Sequence, residues 1–397
     1  MKKSLSKIWL PALLLTAVAF AQTNLIPYRE GNVWGFCDKK KRVVIQPQFQ
    51  YVDRFLNGYA RVKLDDKFGI VNAKGTLVVR PRFPNVYDIF DGIAAVEKNS
   101  LWGFVNVSDT EVVKPVYDEV YSFSEDLAAV RKGDDWGFVD LNGKIVIPLG
   151  YQKVFSFKYG LAGVFRGNKA GFIDRTGRES IKIVYDEIPL RYGDMFSDSL
   201  SAVSLNGFWG FVDLTGNLVI PRVFNFVYAF SEGYAGFKEG HKCGFIDKTG
   251  RVVVSPQYEH VYAFHDGLAC VMNGGLAGYI NSSGKKIVET KYTNANSFSE
   301  KRARAGSGGK FGFIDTTGRL VVPLVYDGAD DFHEGLAAVM KGDRWGYIDK
   351  NGKVVIPFKY DSATMFENGI ALVRCRGQFG YVGKGGEEYW RDAGGEK

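Results

Sequence analysis

The chain has 397 residues, 46% of them hydrophobic, 24% charged and 15% aromatic, with 48 glycines, only 5 methionines and a formal charge of +7. The composition is globular, and aromatic and glycine enrichment with scarce methionine suits strands and tight turns better than helices. The small basic excess is scattered along the chain, which removes any electrostatic case for nucleic acid, and four cysteines without a CxxC in so long a chain exclude a disulfide framework.

The N-terminus reads MKKSLSKIWLPALLLTAVAFAQTN. Lys2, Lys3 and Lys7 precede an apolar run from Ile8 to Phe20, and Ala19-Phe20-Ala21 has the A-x-A form of a cleavage site. The run is shorter than the ~20 residues that a spanning helix needs. Residues 1–21 are therefore expected to be a secretory signal peptide cut before Gln22, leaving no stable membrane span and, with no cysteine at the cut, no lipid anchor. The three lysines leave with it, so 48 basic residues face 44 acidic ones, a balance of +4. Export places the mature protein in the periplasm, at the cell surface or outside the cell. It also permits disulfides, but Cys37, Cys243, Cys270 and Cys375 are expected to be mainly structural or free thiols.

From about residue 25 to 382 the sequence repeats. Aligned on one glycine, units start at Trp34, Phe68, Trp102, Trp136, Ala170, Trp209, Cys243, Ala277, Phe311, Trp345 and Phe379, every 34 residues except for a 39-residue step after Ala170. The full phrase is carried by Trp34-Gly35, Trp102-Gly103, Trp136-Gly137, Trp209-Gly210 and Trp345-Gly346. Counting the first residue of a unit as position 1, position 2 is always glycine, and position 3 is phenylalanine or tyrosine except Ile70. Position 5 is aspartate or asparagine except Gly383, and position 16 is always aromatic. Position 22 is phenylalanine except Ile89, and position 27 is alanine except Ser201. A fixed period of this length is the signature of a repeat architecture.

In KGDRWGYIDKNGKVVIP (341–357), WGYID reads as a strand, DKNGK as a hairpin loop and KVVIP as the returning strand, ended by proline. GIALVR (369–374) reads as a further strand, and the segment between as a connector able to add a short fourth strand. No window shows an apolar period of 3.6. Glycine at position 2, inside a strand, implies close approach of another group, expected to be an aromatic ring of the adjacent repeat. A single 34-residue unit buries too little apolar surface to offset its ordering entropy, so stability must come from stacking on neighbours. LIPYREGN, before the first unit, resembles the last strand of a missing repeat and is expected to cap the start.

These features define an all-β fold of about eleven tandem β-meander repeats spanning 22–383. An open solenoid or superhelical array is expected first. One or two β-propeller-like lobes are the alternative, with a break near 189–195 where the period slips. Residues 384–397, rich in glycine and charge, are expected to form a flexible tail.

The W-G-[FY]-[IV]-D run, the following glycine and V-V-I-P, then Y-D, F-x-E-G-L-A-x-V and K-x-G, resemble the bacterial WG-repeat family, also called KWG repeats. The resemblance covers nearly the whole mature chain, although tryptophan stands at only five of the eleven starts. It implies a secreted or surface-linked β-repeat protein with no established chemistry and no implied substrate.

Catalysis needs a unique constellation, and a repeat places like groups at like positions. The position-5 aspartates read as turn formers, and Glu232, Glu334 and Glu367 as solvated loop residues. His241, His260, His265 and His333 show no ligand spacing. NGGLAG (273–278) falls on a hairpin turn with no helix after it, so it is no phosphate cradle. No catalytic residue, metal or cofactor is expected, and the protein reads as a non-enzyme. Regular aromatic positions 3, 16 and 22 read as core. The insertion IPLRYGDM (188–195) is the one departure from the period. Insertions in repeat proteins often emerge on a binding face, so Arg191 and Tyr192 are its candidate contact residues. The expected function is an exported scaffold for protein–protein interaction, its protein partner unknown. A carbohydrate or cell-wall (glycan) binding module is the alternative.

Overall fold

The computed structural model describes residues 25–392 except 88, 91 and 190–194, so the expected signal peptide and both Arg191 and Tyr192 lie outside the described residues. The described residues contain no helix. They form eleven sheets, eight of four strands and three of three, antiparallel but for one pair in the first, following one another along the chain.

The unit at the centre of the motif shows how each blade forms. Strand Leu336–Lys341 pairs with Arg344–Asp349 across a tight turn, with Trp345 opposite Met340. Asp349 then starts the loop: its Oδ1 accepts from the backbone N–H of Asn351 and of Lys353, both at 2.9 Å. Gly352 takes φ +84°, a left-handed conformation that favours glycine. The returning strand, Val354–Tyr360, pairs back with irregular register and buries Ile356 and Tyr360. Its proline does not end it. Pro357 lies inside the strand, as Pro47 does in Val43–Phe49. The strand is the blade's outer edge, where a missing N–H breaks no ladder. The chain then passes directly into a short strand of the next blade, such as Ser362–Ala363 after Tyr360.

Burial follows the two-residue period within strands, but the cores lie between blades. Phe313, Val322 and Tyr326 of one blade pack with Phe332, Ala337, Val339 and Ile348 of the next. Equivalent clusters join every consecutive pair, including the pair that flanks the insertion, where Phe172, Ile181 and Ile188 meet Phe196, Val203 and Val212. No blade buries its apolar residues alone, which is the nearest-neighbour stacking expected of the repeat.

The eleventh cluster joins the two ends of the array: Ile26 and Cys37 pack with Ile370 and Tyr389. Strand Ile26–Glu30 pairs antiparallel with Val33–Cys37, as LIPYREGN predicts, and on its other edge pairs parallel with Trp390–Arg391. Arg29, only 4% exposed, secures the junction. Its Nε donates to Phe379 O at 2.8 Å, Nη1 to Gly31 O at 2.6 Å and Nη2 to Asp392 Oδ1 at 2.8 Å. The chain is thus one eleven-bladed β-propeller. Of the two architectures open from the sequence, the closed ring forms and the open superhelix does not. What closes it is residues 387–392, inside the segment read as a flexible tail. Tyr389 is buried there, and Gly383 N–H donates to Glu387 O.

Candidate interaction surface

No group of three or more histidine, cysteine, aspartate or glutamate side chains among the described residues could hold a metal ion. No helix among them is long and apolar enough to cross a membrane. All four cysteines are free thiols, three buried and Cys375 half-buried. Burial pushes the Cys37 and Cys270 thiols up to about 12, with the Asp38 carboxylate adding to the effect at Cys37. The four histidines are exposed; His260 and His265 stand at the two ends of one strand, and His241 and His333 lie on other blades.

The five Trp-Gly pairs are structural. Trp136 is buried, and the other four tryptophans are half-buried. Each glycine faces the returning strand of its own blade rather than a ring of the adjacent repeat. A Cβ on Gly137 would lie 2.6 Å from Ile147 O, and one on Gly346 would lie 2.6 Å from Ile356 O. Gly380 instead faces a ring of the neighbouring blade, that of Trp390, which pairs with the first strand. Gly35, Gly103 and Gly210 repeat the pattern against residues 45–47, 113–115 and 220–222. The sequence identified the close approach but not the partner, because nothing in the period separates a backbone neighbour from a side chain.

The connectors, positions 17–25, hold the inter-blade polar contacts. Ser124, Ser231 and Ser299, at position 23, each donate through Oγ to the carbonyl of the next connector's phenylalanine, Phe157, Phe264 and Phe332, at 2.7 Å. His333 Nδ1 stands 2.6 Å from Phe366 O in the same role. Glu232 is not a solvated loop residue: its two oxygens accept from the N–H groups of Asp266 and Gly267, both at 2.8 Å. Glu334 does the same for Asn368 and Gly369 and also pairs with Lys384 at 3.0 Å. Glu367 pairs with Arg54 across the closure.

Position 20 of the connectors carries the exposed signal. It holds Tyr87, Tyr121 and Phe155 in three successive connectors, then, beyond the insertion, Tyr228 and Tyr262. Tyr87, Tyr228 and Tyr262 are exposed at 38%, 38% and 47%, and Tyr121 and Phe155 are half-buried. Position-1 tryptophans of the following units support these rings: Tyr87 stacks on Trp102 at 4.5 Å, and Tyr121 tilts on Trp136 at 4.8 Å. On the other side of the insertion, Trp209, Phe226 and Tyr228 meet edge-on in series at 5.9 and 5.1 Å. Lys153 Nζ sits 5.2 Å over Phe155. The remaining connectors are polar at position 20: Asn296, Asp330, Thr364 and Asp53. Asp53 pairs with Arg61 at 2.6 Å. Burial raises the Asp330 carboxyl above the ordinary range, with Arg304 opposing and Asp331 adding to the rise. One part of the ring therefore shows an arc of aromatic rings and the other a polar arc.

The insertion enters this register. Pro189 is position 20 of its connector and Phe196 takes the buried place of position 22, so the insertion falls in sequence between the two halves of the aromatic arc. Sequence reasoning singled out the insertion but passed over position 20, because positions 3, 16 and 22 repeat so strictly that they mask a neighbouring position where aromatics occur in only half the units.

Fold and surface together define a closed propeller of short tandem repeats with an arc of exposed and half-buried aromatic rings. Ten segments, 34–68, 68–102, 102–134, 136–169, 171–207, 209–243, 244–276, 278–311, 311–345 and 345–379, match the model of the WG containing repeat, and the chain belongs to that family. No curated protein sequence matches it. Among solved structures, a eukaryotic initiation factor is similar at a TM-score of 0.46 and 11% identity, over 75% of this chain and 94% of that one. The extracellular domain of a putative hybrid two-component system from B. thetaiotaomicron is similar at 0.28 and 10% identity, over 90% of this chain and 60% of that one. PorZ, a bacterial surface component of the type-IX secretion system of Porphyromonas gingivalis, is similar at 0.25 and 9% identity, over 88% and 60%. This chain thus spans 60% of the length of both bacterial proteins.

Proposed function

We propose that the protein is an exported, non-enzymatic scaffold that binds a protein partner in the cell envelope or at the surface. The observation that carries this reading is the aromatic arc: Tyr87, Tyr121, Phe155, Tyr228 and Tyr262 share one register, are exposed or half-buried, and flank the only insertion in the period. Tyrosine and arginine are enriched at interface cores, so Arg191 and Tyr192, which fall in sequence between the two halves of the arc, are its further candidate contacts. The signal-like N-terminus supports export. The exposed rings also suit stacking on sugars, which keeps a glycan-binding reading as the second. Capture from envelope extract with the mature protein, run beside glycan and peptidoglycan binding assays, separates the two. The scaffold reading expects a specific protein captured by wild type and lost with Tyr228→Ala/Tyr262→Ala, with no saturable glycan binding. Saturable glycan binding lost in the same variant overturns it in favour of the second. Undiminished capture after deletion of 190–194 removes Arg191 and Tyr192 from the surface.

A further inference from the structure

The ring has a second distinctive place, on the face that carries its hairpin loops. Loops and connector ends share that face, because the residue after a loop's first aspartate pairs with a connector carboxylate, as Lys350 does with Glu300 at 3.0 Å and Arg175 with Asp126 at 2.7 Å. In the first blade the loop departs from the repeat. Asp38–Arg42 holds Lys39, Lys40, Lys41 and Arg42 in succession, all exposed. Its net charge is +3, while the corresponding five residues of the other ten units lie between −1 and +1. Lys41 is the turn residue, at a position where nine of the eleven units have glycine, and it takes φ +60°, a left-handed conformation that costs a lysine energy. Asp109, the other exception, sits at the same φ with its carboxylate held by Arg80 and Arg82. The first two connectors depart as well. At position 23, where Ser124, Ser231, Ser299 and His333 bond to the next connector, stand Leu56 and Phe90, exposed at 44% and 36%. Leu56 follows Phe55, which lines one cleft with Lys39, so the apolar and basic departures are neighbours.

We propose that this part of the face docks reversibly on an anionic lipid surface, with the four cations of the loop meeting headgroup phosphates and Leu56 and Phe90 entering the interface. Charge and apolarity together select this occupant. An acidic polypeptide would satisfy the loop but leave the two exposed apolar side chains without a partner, whereas a bilayer interface supplies phosphate and hydrocarbon side by side. Each basic residue near a charged membrane contributes modestly, and firm attachment takes two signals. Here the first is the run Lys39–Arg42 and the second is the apolar pair. The strained lysine fits the same account: it places a third ammonium group at the tip, where glycine would relax the turn and add none. The proposal goes beyond the scaffold reading, since it states what the ring rests on whichever partner the aromatic arc takes.

The test uses the mature chain from Gln22, the expected product of signal cleavage, so that the apolar run Ile8–Phe20 takes no part. The chain is floated with vesicles of phosphatidylglycerol and phosphatidylcholine, and with phosphatidylcholine alone. It should bind the anionic vesicles, lose binding as salt rises, and ignore the neutral ones. Lys39→Ser/Lys40→Ser/Lys41→Gly should weaken binding at least about thirtyfold, at roughly fivefold per lysine. Leu56→Ser/Phe90→Ser should weaken it at least about fivefold. Both variants install residues that other units carry at the same positions, so the fold is kept, and a thermal midpoint equal to or above that of wild type verifies it. No binding to anionic vesicles, equal binding to neutral ones, or binding that survives either variant overturns the proposal. So does lysine-dependent binding of soluble poly-glutamate without binding of vesicles, since the occupant would then be an acidic polypeptide.

Discussion

A methyl group at Gly137 has no room, because the Ile147 carbonyl and the Leu149 N–H stand 2.6 and 2.8 Å from where it would go. Both are backbone, so relief requires the blade's outer strand to move. Gly137→Ala is expected to destabilise by about 1–3 kcal/mol, read as a lowered midpoint of chemical unfolding. Asp330 behaves oppositely. Its carboxyl is raised by burial, so it favours the protonated form in the folded state. The stability this gives is present at low pH and lost as pH rises through the folded value. Asp330→Asn should therefore raise the thermal midpoint at pH 7 and bring no gain near pH 3. The turn aspartates have the other sign. Thr176, Thr215 and Thr249 donate to Asp174, Asp213 and Asp247 and, with backbone N–H groups, lower those carboxyls. Their contribution is lost as pH falls through the lowered values, which makes acid the destabilising direction for the hairpin loops. The turn role of these aspartates was legible from their spacing before glycine. The asymmetry of Asp330 was not, since position 20 is exposed in some units and half-buried in others, and nothing in the period tells the two apart.

Each blade is a small meander whose outer strand flows into the next blade, so the connector joins neighbours as well as leading between them. Phe157 is fully buried against Phe138 at 4.9 Å, and its carbonyl receives the Ser124 hydroxyl of the preceding connector. Phe157→Ala is expected to cost about 3–5 kcal/mol, whereas Ser124→Ala, which removes one partly buried hydrogen bond, should cost roughly 0.5–1.5 kcal/mol. Equilibrium unfolding of the two variants checks the ratio. Strand order, hairpin positions and the buried rings at 3, 16 and 22 could be read from the sequence because the two-residue alternation is nearly unbroken. The outer strand's passage through Pro357 could not, because proline marks an end and an edge alike. The role of Glu232 escaped as well, since a carboxylate before a glycine reads as solvated until the next connector is placed beside it.

For the whole molecule, the question the period could not answer was whether eleven units close. A 34-residue repeat fixes contacts with the next unit, while the sum of small rotations that brings the last beside the first is not encoded in any one copy. The residues that settle it, Arg29, Tyr389 and Trp390, each occur once and outside the repeat's strict positions. Arg29→Ala removes a buried guanidinium that meets two carbonyls and the Asp392 carboxylate, and should destabilise the closure by roughly 2–4 kcal/mol. Cys37, fully buried in the closure core, is the reporter. In the intact protein a thiol reagent should modify Cys375 first and leave Cys37 protected. Truncation after Lys384, or Arg29→Ala, should make Cys37 reactive while Cys243 and Cys270, deep between other blades, stay protected. Equal protection of Cys37 in the truncated chain would show that the ring does not depend on its terminal strand.

The parallel pairing of Arg29 and Glu30 with Trp390 and Arg391 also has a temporal consequence. The opening strand's mate is made 361 residues after it. At roughly 5–20 residues per second, the first blade waits about 20–70 s with one edge unpaired. Until that strand emerges, the growing chain is a lengthening ribbon rather than a ring.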